Sequence, residues 1–583
     1  MIRLEIYPEG QTTPLVPNIS PEISFEMIRE NPLFNQRGDY TYDIDISLRD
    51  PHNRKIYEHI DRITSNSYPK GRKLKIICGG NTVCEGTEVI LRKEDDNVKV
   101  QVLSGSSELN FLTADENLRI REMNFGTFAA PTNEMAASSA YKLFPEVNYG
   151  FPMCVERSSG DEADIYVNEC YYETKVHGMV YETGTVLRPM PFVLYIVEKF
   201  VEALGYHLRS NALREEPKWC KLLMIHGYNT ISVQKMLPDW TAAEFISYIE
   251  AFFNCIFIVN EQSKEVDIRT YQSMQSNPII NIIKREEVID DFLREYDGRD
   301  VKFIHNYERV EYNLPGGEYW KRTNLDPTVE KLCTKLEASY SQAEAMPISE
   351  CQWKIFHYSN DDIEFVRVNE VIPYYSETGT PVYRRYAVNQ YKPYGENGEA
   401  NVLKVIPVEV ILYERTGRIC PISELRKTME DVAFKDAIGS NISEDTVDNL
   451  QVCFYSFDGT GFNIDFDGSQ APLNFPVPQC VTTRNYFHQT FGTSIFIPRY
   501  TGVDDMTLEL NGVHGLVNTV YATGQNIDVT QKHTINFISS GILNPNDLYN
   551  IAGKLFVCQQ LKYTFQNGKR HPVAEGVFYP YIL

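Results

Sequence analysis

The sequence predicts a mainly β protein of the α+β type with several domains. A chain of 583 residues is too long for one hydrophobic core and corresponds to about three to five domains. It contains 37 Tyr and 30 Phe but only 4 Trp, and abundant aromatic residues with little helical periodicity favour sheets. Short alternating runs between turn residues mark both ends of the chain. We therefore expect barrel-like or sandwich-like β domains at the two ends and a helix-containing α+β region between them.

The first predicted domain, residues 1–128, has the pattern of successive hairpins. The runs KLKIIC, TEVILRK and VKVQVLSG are separated by the turn segments GGN and EDDN. Ahead of them, residues 40–48 alternate without a break between large apolar and small polar side chains. This alternation predicts one continuous strand with an apolar and a polar face, and Asp43 and Asp45 lie on the polar one.

A basic run, PKGRKLK, occupies Pro69 to Lys75 and is the one local exception to an acidic chain. Charged residues of this kind commonly protect the free edge of a sheet against pairing with another chain. We interpret the run as such an edge rather than as a nucleic-acid site, because the whole chain carries a net charge of -23.

The remaining chain divides into four segments. Residues 129–188 are predicted to be a linker followed by a β insertion or arm, and residues 189–275 a helix-plus-hairpin α+β domain. Residues 276–440 should form a β-rich middle domain with one helical stretch in DPTVEKLCTKLEASYSQAEA, and residues 441–583 a C-terminal barrel-like β domain. In the last segment, Asn567-Gly568 between alternating runs predicts a type I′ hairpin turn.

Two helices are predicted within residues 189–275. Pro191 opens the first, whose apolar side chains recur every four residues until Gly205 ends it. The second begins with a capping box, in which Thr241 and Glu244 stand three residues apart ahead of an apolar face. Each helix leads into a candidate strand, and the second is followed by the hairpin CIFIVN/VDIRTY.

No motif in the sequence indicates catalysis, a metal or a cofactor. The 11 His are scattered singly without HxH or HExxH spacing, and the 12 Cys include no CxxC pair. We expect His226 to be a structural histidine and the cysteines to be buried free thiols of a protein made in a reducing cytosol. We also expect neither a membrane-spanning segment nor an export signal. The sequence therefore predicts a protein that is not an enzyme.

Three segments resemble tail hub and baseplate hub proteins of long-tailed bacteriophages, especially those of phages and prophages of Bacteroides-type hosts. They are ENPLFNQRGDYTYDIDISLRDPHNRKIYEHIDRI, PDWTAAEFISYIEAFFNCIFIVNEQSKEVDIRTY and IAGKLFVCQQLKYTFQNGKRHPVAEGVFYPYIL. Together they cover less than half of the chain. In the first segment, the matching residues are Glu30, Asn31, Pro32, Phe34, Gly38, Tyr40, Tyr42, Asn53 and Arg62.

The resemblance implies a structural protein of the virion tail, made in the host cytoplasm, that assembles as a trimer. In the family, tube-like β domains form a pseudo-sixfold ring that joins the tail tube to a spike or fibres, and DNA passes through it. On this reading, Asp43 and Asp45 should face the lumen or a subunit contact. An acidic chain suits such a conduit because negative charge repels passing phosphates.

Two other functions remain open at the level of the sequence. The chain could be a tail tip or fibre protein that binds a host-surface glycan through exposed aromatic side chains, although Trp is scarce. It could also be a tail-associated hydrolase, because an acidic chain contains carboxylate pairs at many separations. No motif favours the hydrolase.

Overall fold

The structure, a computed structural model, is mainly β as the sequence predicts. It describes residues 2–8, 10–31, 33–34, 39–41, 44–64, 69, 72–94, 96–104, 118–157, 165–173, 175–260, 264–270, 279–282, 288–295, 309–312, 334–337, 354–358, 363–368, 383–388, 400–408, 410–413, 418–424, 449–457, 460–464, 470–482, 489–491, 494–496, 506–508, 510, 514–521, 527–528 and 531–582. Asp43, one of the two candidate site residues, lies outside these ranges.

The strands of the described ranges are numbered β1 to β38 in chain order. They are Ile2–Tyr7, Ser24–Glu30, Asp39–Thr41, Ile44–Ser47, Lys73–Cys78, Asn81–Glu94, Asn97–Ser104, Tyr149–Gly150, Cys154–Arg157, Ile165–Val167, Cys170–Glu173, Gly178–Tyr181, Met190–Pro191, His207–Asn211, Leu222–Ile225, Cys255–Asn260, Glu265–Thr270, Ile279–Ile282, Val288–Glu295, Arg309–Tyr312, Thr334–Glu337, Lys354–Tyr358, Ile363–Val368, Tyr383–Val388, Ala400–Leu403, Val405–Pro407, Val410–Tyr413, Arg418–Glu424, Leu450–Ser456, Thr460–Ile464, Gln470–Pro476, Gln479–Val481, Gln489–Phe491, Ser494–Phe496, Lys532–Ile538, Leu548–Ile551, Lys554–Gln566 and Lys569–Pro580. The α-helices, α1 to α5, are Pro51–Ile56, Asn133–Ser139, Val193–Ala203, Ala212–Glu215 and Ala242–Phe253.

One large sheet contains strands from both ends of the chain. Within the described ranges its order is β1-β5-β6-β7-β3-β2-β37-β38-β35-β19, with β4 also on β7, β36 on β37 and β18 on β36. Strands β2 and β37 pair antiparallel from Ser24 opposite Gln566 to Glu30 opposite Gln560. The first and last predicted segments therefore share a sheet, whereas the five-segment boundaries of the sequence stay a prediction.

Residues that carried the family resemblance hold this junction together. The Asn31 side-chain amide, fully buried, donates to the carbonyls of Pro545 at 3.1 Å and Cys558 at 2.8 Å. Phe34 stacks on Tyr579 with ring centroids 5.4 Å apart. Because a buried amide is costly without partners, these contacts fix the N-terminal segment against the C-terminal hairpin.

The prediction that residues 40–48 keep the same apolar and polar faces along one strand is wrong. Tyr40 pairs with Leu103, but Ile44 pairs with Val100, so the ladder to β7 shifts by one residue between β3 and β4. A one-residue shift exchanges the two faces of a strand. Thr41, assigned by the sequence to the polar face, is consequently fully buried.

The interpretation of the basic run as a protected sheet edge is also wrong. Strand β5, which contains the second half of the run, pairs with β1 on one side and β6 on the other. The lysines of the run that belong to β5 therefore do not lie on an unpaired edge of the sheet. Arg72, just ahead of the strand, is buried, and Lys73 points to the opposite face of the sheet.

The predicted helix-plus-hairpin region is confirmed in its main elements. Helix α5 is capped by Thr241, with the expected capping box to Glu244, and it leads into the antiparallel hairpin β16–β17. Helix α3 begins at Val193, two residues later than predicted, because Pro191 lies in the short strand β13. Gly205 follows this helix with a φ of +85°, a conformation that suits glycine.

One predicted helix is at least partly a strand. Within DPTVEKLCTKLEASYSQAEA, the described residues Thr334–Glu337 form β21, which pairs parallel with β22. Pairing with β22, a separate segment of the chain, overrides the local helical preference of these residues. The rest of this stretch lies outside the described residues.

The described parts of the chain contain four clusters of buried hydrophobic residues, of which two are large. One lies behind the large sheet and the other packs α3 and α5 together, with Phe200 and Phe245 ring centroids 4.5 Å apart. A smaller bridging cluster joins the hairpin β16–β17 to the large sheet; its buried members are Leu33, Phe34, Ile256, Leu548, Val557 and Tyr579. No helix in the described ranges is long and apolar enough to cross a membrane.

Candidate functional surface on the large sheet

The candidate site residue that the structure describes, Asp45, lies on the face of the large sheet opposite its core. Its carboxylate is exposed, and it stands directly across from Lys99 on β7. The neighbouring residues Ile44 and Ile46 are fully buried on the other face. The structure thus places Asp45 on an outward-facing surface, which we call the ladder face because its charged side chains run across adjacent strands.

The first charge ladder surrounds Lys99. The Lys99 ammonium lies 3.0 Å from Glu94 Oε2, and Asp45 faces it from β4. The Glu94 contact chiefly, with a smaller contribution from Asp45, raises the pKa of Lys99, and the same contact lowers the pKa of Glu94. Lys99 is therefore held as a cation between two carboxylates.

A second ladder crosses β1, β5 and β6. Lys75 stands opposite both Glu5 and Glu85, and its ammonium lies 3.0 Å from Glu85 Oε2. The Glu85 contact is the largest cause of a raised Lys75 pKa. The Tyr7 hydroxyl donates to Glu5 Oε2 at 2.8 Å, which fixes the position of the Glu5 carboxylate on β1.

The third ladder lies in the C-terminal half of the sheet. The Lys562 ammonium on β37 is 3.2 Å from Glu575 Oε1 on β38 and 3.8 Å from Glu26 Oε1 on β2. Each ladder thus places one lysine between two acids of adjacent strands. Solvent-exposed charge pairs contribute little to stability, so the main effect of the ladders is on the charge that the surface presents.

A buried polar network supports the ladder face from behind. Tyr57 donates to Glu88 Oε1 at 2.7 Å, and Arg72 Nε donates to Glu88 Oε2 at 2.6 Å. The Arg72 guanidinium also donates to the Ile56 carbonyl at 2.8 Å. Burial raises the pKa of Glu88, and the charge of Arg72 opposes that rise. The network joins α1 to β5 and β6, and so fixes the strands that carry the second ladder.

The hydroxyl of Thr41 stabilises the register shift beside Asp45. It accepts the Val102 N–H at 3.0 Å at a point where the ladder is interrupted, and both residues are fully buried. We expect Thr41→Val, which keeps the shape but removes the acceptor, to cost about 1–3 kcal/mol of stability. Faster hydrogen exchange of the Val102 amide would measure this loss. Thr564→Val, on the half-exposed face of β37, is the control and should change stability by less than about 0.5 kcal/mol.

The described residues offer no site for a metal ion: no group of three or more His, Cys, Asp or Glu has suitable geometry. His226 is structural, as the sequence predicts. Its Nε2 lies 2.9 Å from the Pro189 carbonyl, and its Nδ1 accepts the Tyr228 N–H. The described cysteines are free thiols, most of them buried. The arrangement on the ladder face can present paired charges to a macromolecule.

Sequence reasoning singled out Asp45 as a candidate, which stays a prediction, and it did not predict the ladders. The acids and lysines that form them are separated by up to several hundred residues in the chain, so their adjacency depends on strand order. Only the alternation of charged and apolar residues along β1, β5 and β7 signalled that these strands have a charged face.

The sequence matches no protein-family model and no curated protein. Among solved structures, the chain is similar to the 43 kDa tail protein of prophage MuSo2 from Shewanella oneidensis, with 6% identity and a TM-score of 0.31, over 99% of this chain and 97% of that one. It is also similar to the tail protein from Neisseria meningitidis MC58, with 7% identity and a TM-score of 0.30, over 99% of this chain and 96% of that one.

Proposed function

We propose that this chain is a structural protein of a bacteriophage tail, a tail or baseplate hub of a Bacteroides-type phage or prophage. In this proposal it assembles as a homotrimer, joins the tail tube to the tip spike or fibres, and forms part of the conduit for DNA. It acts without turnover and without a cofactor. The motif resemblance in the two end segments and in the central helix-plus-hairpin segment suggests this function, and the large sheet provides its physical basis.

The observation that carries the proposal is the single sheet built from both ends of the chain. A ring subunit needs a wide, stiff sheet with one face packed in its own core and the other facing a lumen or a neighbour. The large sheet meets this need, because Ile44 and Ile46 lie in its core while Asp45 is exposed. The middle region packs against the sheet through the bridging cluster, which leaves the ladders partly exposed.

The ladder face has the charge properties that a DNA conduit requires. Phosphates bind to lysine and arginine with release of counterions, so unpaired cations would slow the passage of DNA. On the ladder face, Lys75, Lys99 and Lys562 are each paired with carboxylates. A lumen lined by such pairs, in a chain of net charge -23, would not adsorb the phosphate backbone.

The oligomeric state gives the first test. We expect the purified full-length chain to form a species of three times 67.1 kDa in size-exclusion chromatography with light scattering. Negative-stain class averages should show a ring with threefold symmetry. A stable monomer at high protein concentration would contradict the hub assignment.

The position of Asp45 gives a test of the conduit. In the Asp45→Cys variant of the assembled ring, a maleimide-linked gold label should lie at the central channel or a subunit contact. Glu134→Cys, at the start of α2 and exposed, is the matched control and should label the periphery. Peripheral labelling of both variants would leave a tail role possible but would exclude the ladder face as the lumen.

Two assays on the purified full-length chain test the two alternative functions, glycan binding and hydrolysis. Saturable binding of the isolated chain to one class of host-surface glycan would favour a tip or fibre protein. Clearing of host envelope in a zymogram, abolished by one Asp or Glu substitution, would favour a hydrolase. We expect neither.

A further inference from the structure

The turn between β37 and β38 consists of a chemically labile dipeptide, Asn567-Gly568. The dipeptide is the whole loop of the hairpin, because β37 ends at Gln566 and β38 begins at Lys569. Asn567 is exposed and Gly568 is half-exposed. Asn is a thermolabile residue, and it is most labile ahead of glycine, whose missing side chain leaves the following peptide nitrogen unhindered. The turn is therefore a candidate site of covalent modification.

The reaction is deamidation, which needs only the chain itself and water. The Gly568 backbone nitrogen loses its proton and bonds to Asn567 Cγ, and the side-chain nitrogen leaves as ammonia. The product is a five-membered succinimide ring. Water then adds to one of the two ring carbonyls and the C–N bond at that carbonyl breaks, which yields either aspartate or isoaspartate.

The folded turn holds the reacting atoms apart. Asn567 has a φ of 51° and Gly568 a φ of 76°, so both lie in the left-handed region. A left-handed residue has a ψ of about +47°. This ψ places the nitrogen of the next residue nearly opposite Cβ across the Cα–C bond, whereas ring closure requires the two atoms to be eclipsed. Asn567 must therefore leave the type I′ conformation before the ring can form.

Contacts on both sides of the turn keep it in this conformation. Phe565 is fully buried and stands opposite Arg570, whose guanidinium donates to the Ser539 carbonyl at 2.6 Å. The Gly568 carbonyl weakly accepts the Cys78 thiol at 3.9 Å, which joins the turn to β5. Rotation within the turn requires these contacts to break, so it is coupled to local opening of the hairpin.

We propose that Asn567 is a deamidation site that is protected in the folded large sheet and reacts when the hairpin β37–β38 opens. Aspartate at this position can re-form the turn, because Asp-Gly suits a type I′ turn as Asn-Gly does. Isoaspartate adds a methylene group to the main chain, and so disrupts the two-residue loop that fixes the register of the hairpin. The isoaspartate product therefore marks a molecule whose last strands have separated.

The modification also affects the junction of the two chain ends. Strand β37 pairs with β2 from Ser24 to Glu30, and β38 supports β37 from the other side. A change of register between β37 and β38 removes that support. Isoaspartate should therefore accumulate in molecules that fail to complete the large sheet. The inference stands independently of the proposed tail function, since it rests only on the turn and its contacts.

The test compares deamidation of the full-length protein in the folded state and in guanidinium chloride at mildly alkaline pH. Mass spectrometry of proteolytic peptides measures the mass gain at Asn567, and an isoaspartate methyltransferase measures the isoaspartate fraction. We expect conversion in the folded protein to be at least tenfold slower than in denaturant. In denaturant, Asn567 should convert at a rate similar to those of Asn397 and Asn511, which also precede glycine and serve as internal references.

Two variants with the same change of charge test the coupling to hairpin opening. Arg570→Gln removes the contact with the Ser539 carbonyl and should speed conversion in the folded protein at least threefold. Lys569→Gln removes an exposed charge beside the same turn and should leave the rate unchanged. Unchanged hydrogen exchange in α3 and α5 would show that Arg570→Gln opens the hairpin without unfolding the rest of the chain.

The products of the reaction give a further check. Asn567→Asp, which copies the aspartate product, should keep the melting temperature of the unmodified protein, whereas isolated isoaspartate protein should lower it.

Three outcomes would overturn the proposal. Equal rates in the folded and unfolded protein would mean that the turn does not protect Asn567. Survival of Asn567 in denaturant, while Asn397 and Asn511 convert, would mean that it is not a labile site. Equal acceleration by Lys569→Gln and Arg570→Gln would mean that local charge, rather than opening of the hairpin, sets the rate.

Discussion

Glu88→Ala should lower the stability of the large sheet by about 3–5 kcal/mol, one of the two largest effects that we expect in this chain. The substitution removes the carboxylate that Arg72 and Tyr57 both contact, at 2.6 Å and 2.7 Å. Arg72 would remain buried, with its guanidinium carbon 4.8 Å from the Tyr57 ring centre. An uncompensated buried charge is costly because the protein interior cannot replace its hydration.

Hydrogen exchange across β5, β6 and β7, combined with urea unfolding, measures this loss. Glu85→Ala is the matched control, because Glu85 lies on the same strand but pairs with Lys75 at the surface. Its cost should stay below about 1 kcal/mol. The double variant Arg72→Met/Glu88→Leu should recover most of the loss, since apolar replacements often match a buried ion pair. A cost for Glu88→Ala as small as that of Glu85→Ala would refute the account of the network.

Gly86→Ala should be the other severe substitution, with a cost above the range of about 1–3 kcal/mol that is typical of overpacked cores. A Cβ at Gly86 would lie 1.8 Å from the Leu103 carbonyl oxygen and 2.6 Å from its carbon. Both are backbone atoms of β7, so no side-chain rotation can relieve the overlap. The strands β6 and β7 would have to separate, with loss of ladder hydrogen bonds next to Val102.

The yield of folded protein and limited proteolysis between β6 and β7 measure this effect. Gly541→Ala is the control, because a Cβ there meets no atom within 4 Å and the backbone is not left-handed. It should be neutral or slightly stabilising, since alanine restricts the unfolded chain more than glycine does. Normal folding of Gly86→Ala would mean that the close approach of β6 and β7 is not as described.

Local features of the fold could be predicted from the sequence. Asn567 and Gly568 have φ values of 51° and 76°, which confirms the type I′ turn between β37 and β38. The capping box of Thr241 and Glu244 is present as expected. In both cases a few consecutive residues determine the conformation, so no distant partner has to be known.

Features that depend on strand order could not be predicted. The stacking of Phe25 on Phe565, with ring centroids 4.9 Å apart, requires β2 and β37 to be neighbours, and alternation does not encode which strand pairs with which. The one-residue shift in pairing to β7 between β3 and β4 could not be predicted, because residues 40–48 alternate regularly in the sequence.

The pairing of β2 with β37 also has a consequence for biosynthesis. Asn31 and Cys558, which are bonded across this junction, are 527 residues apart. At about 5–20 residues per second, a ribosome needs roughly 30–100 seconds to make the intervening chain. During that time β2 has an unpaired edge that can join another chain. The large sheet is complete only after the last strands emerge from the ribosome. A truncated product therefore lacks these strands, and we expect proteases and chaperones to act on it.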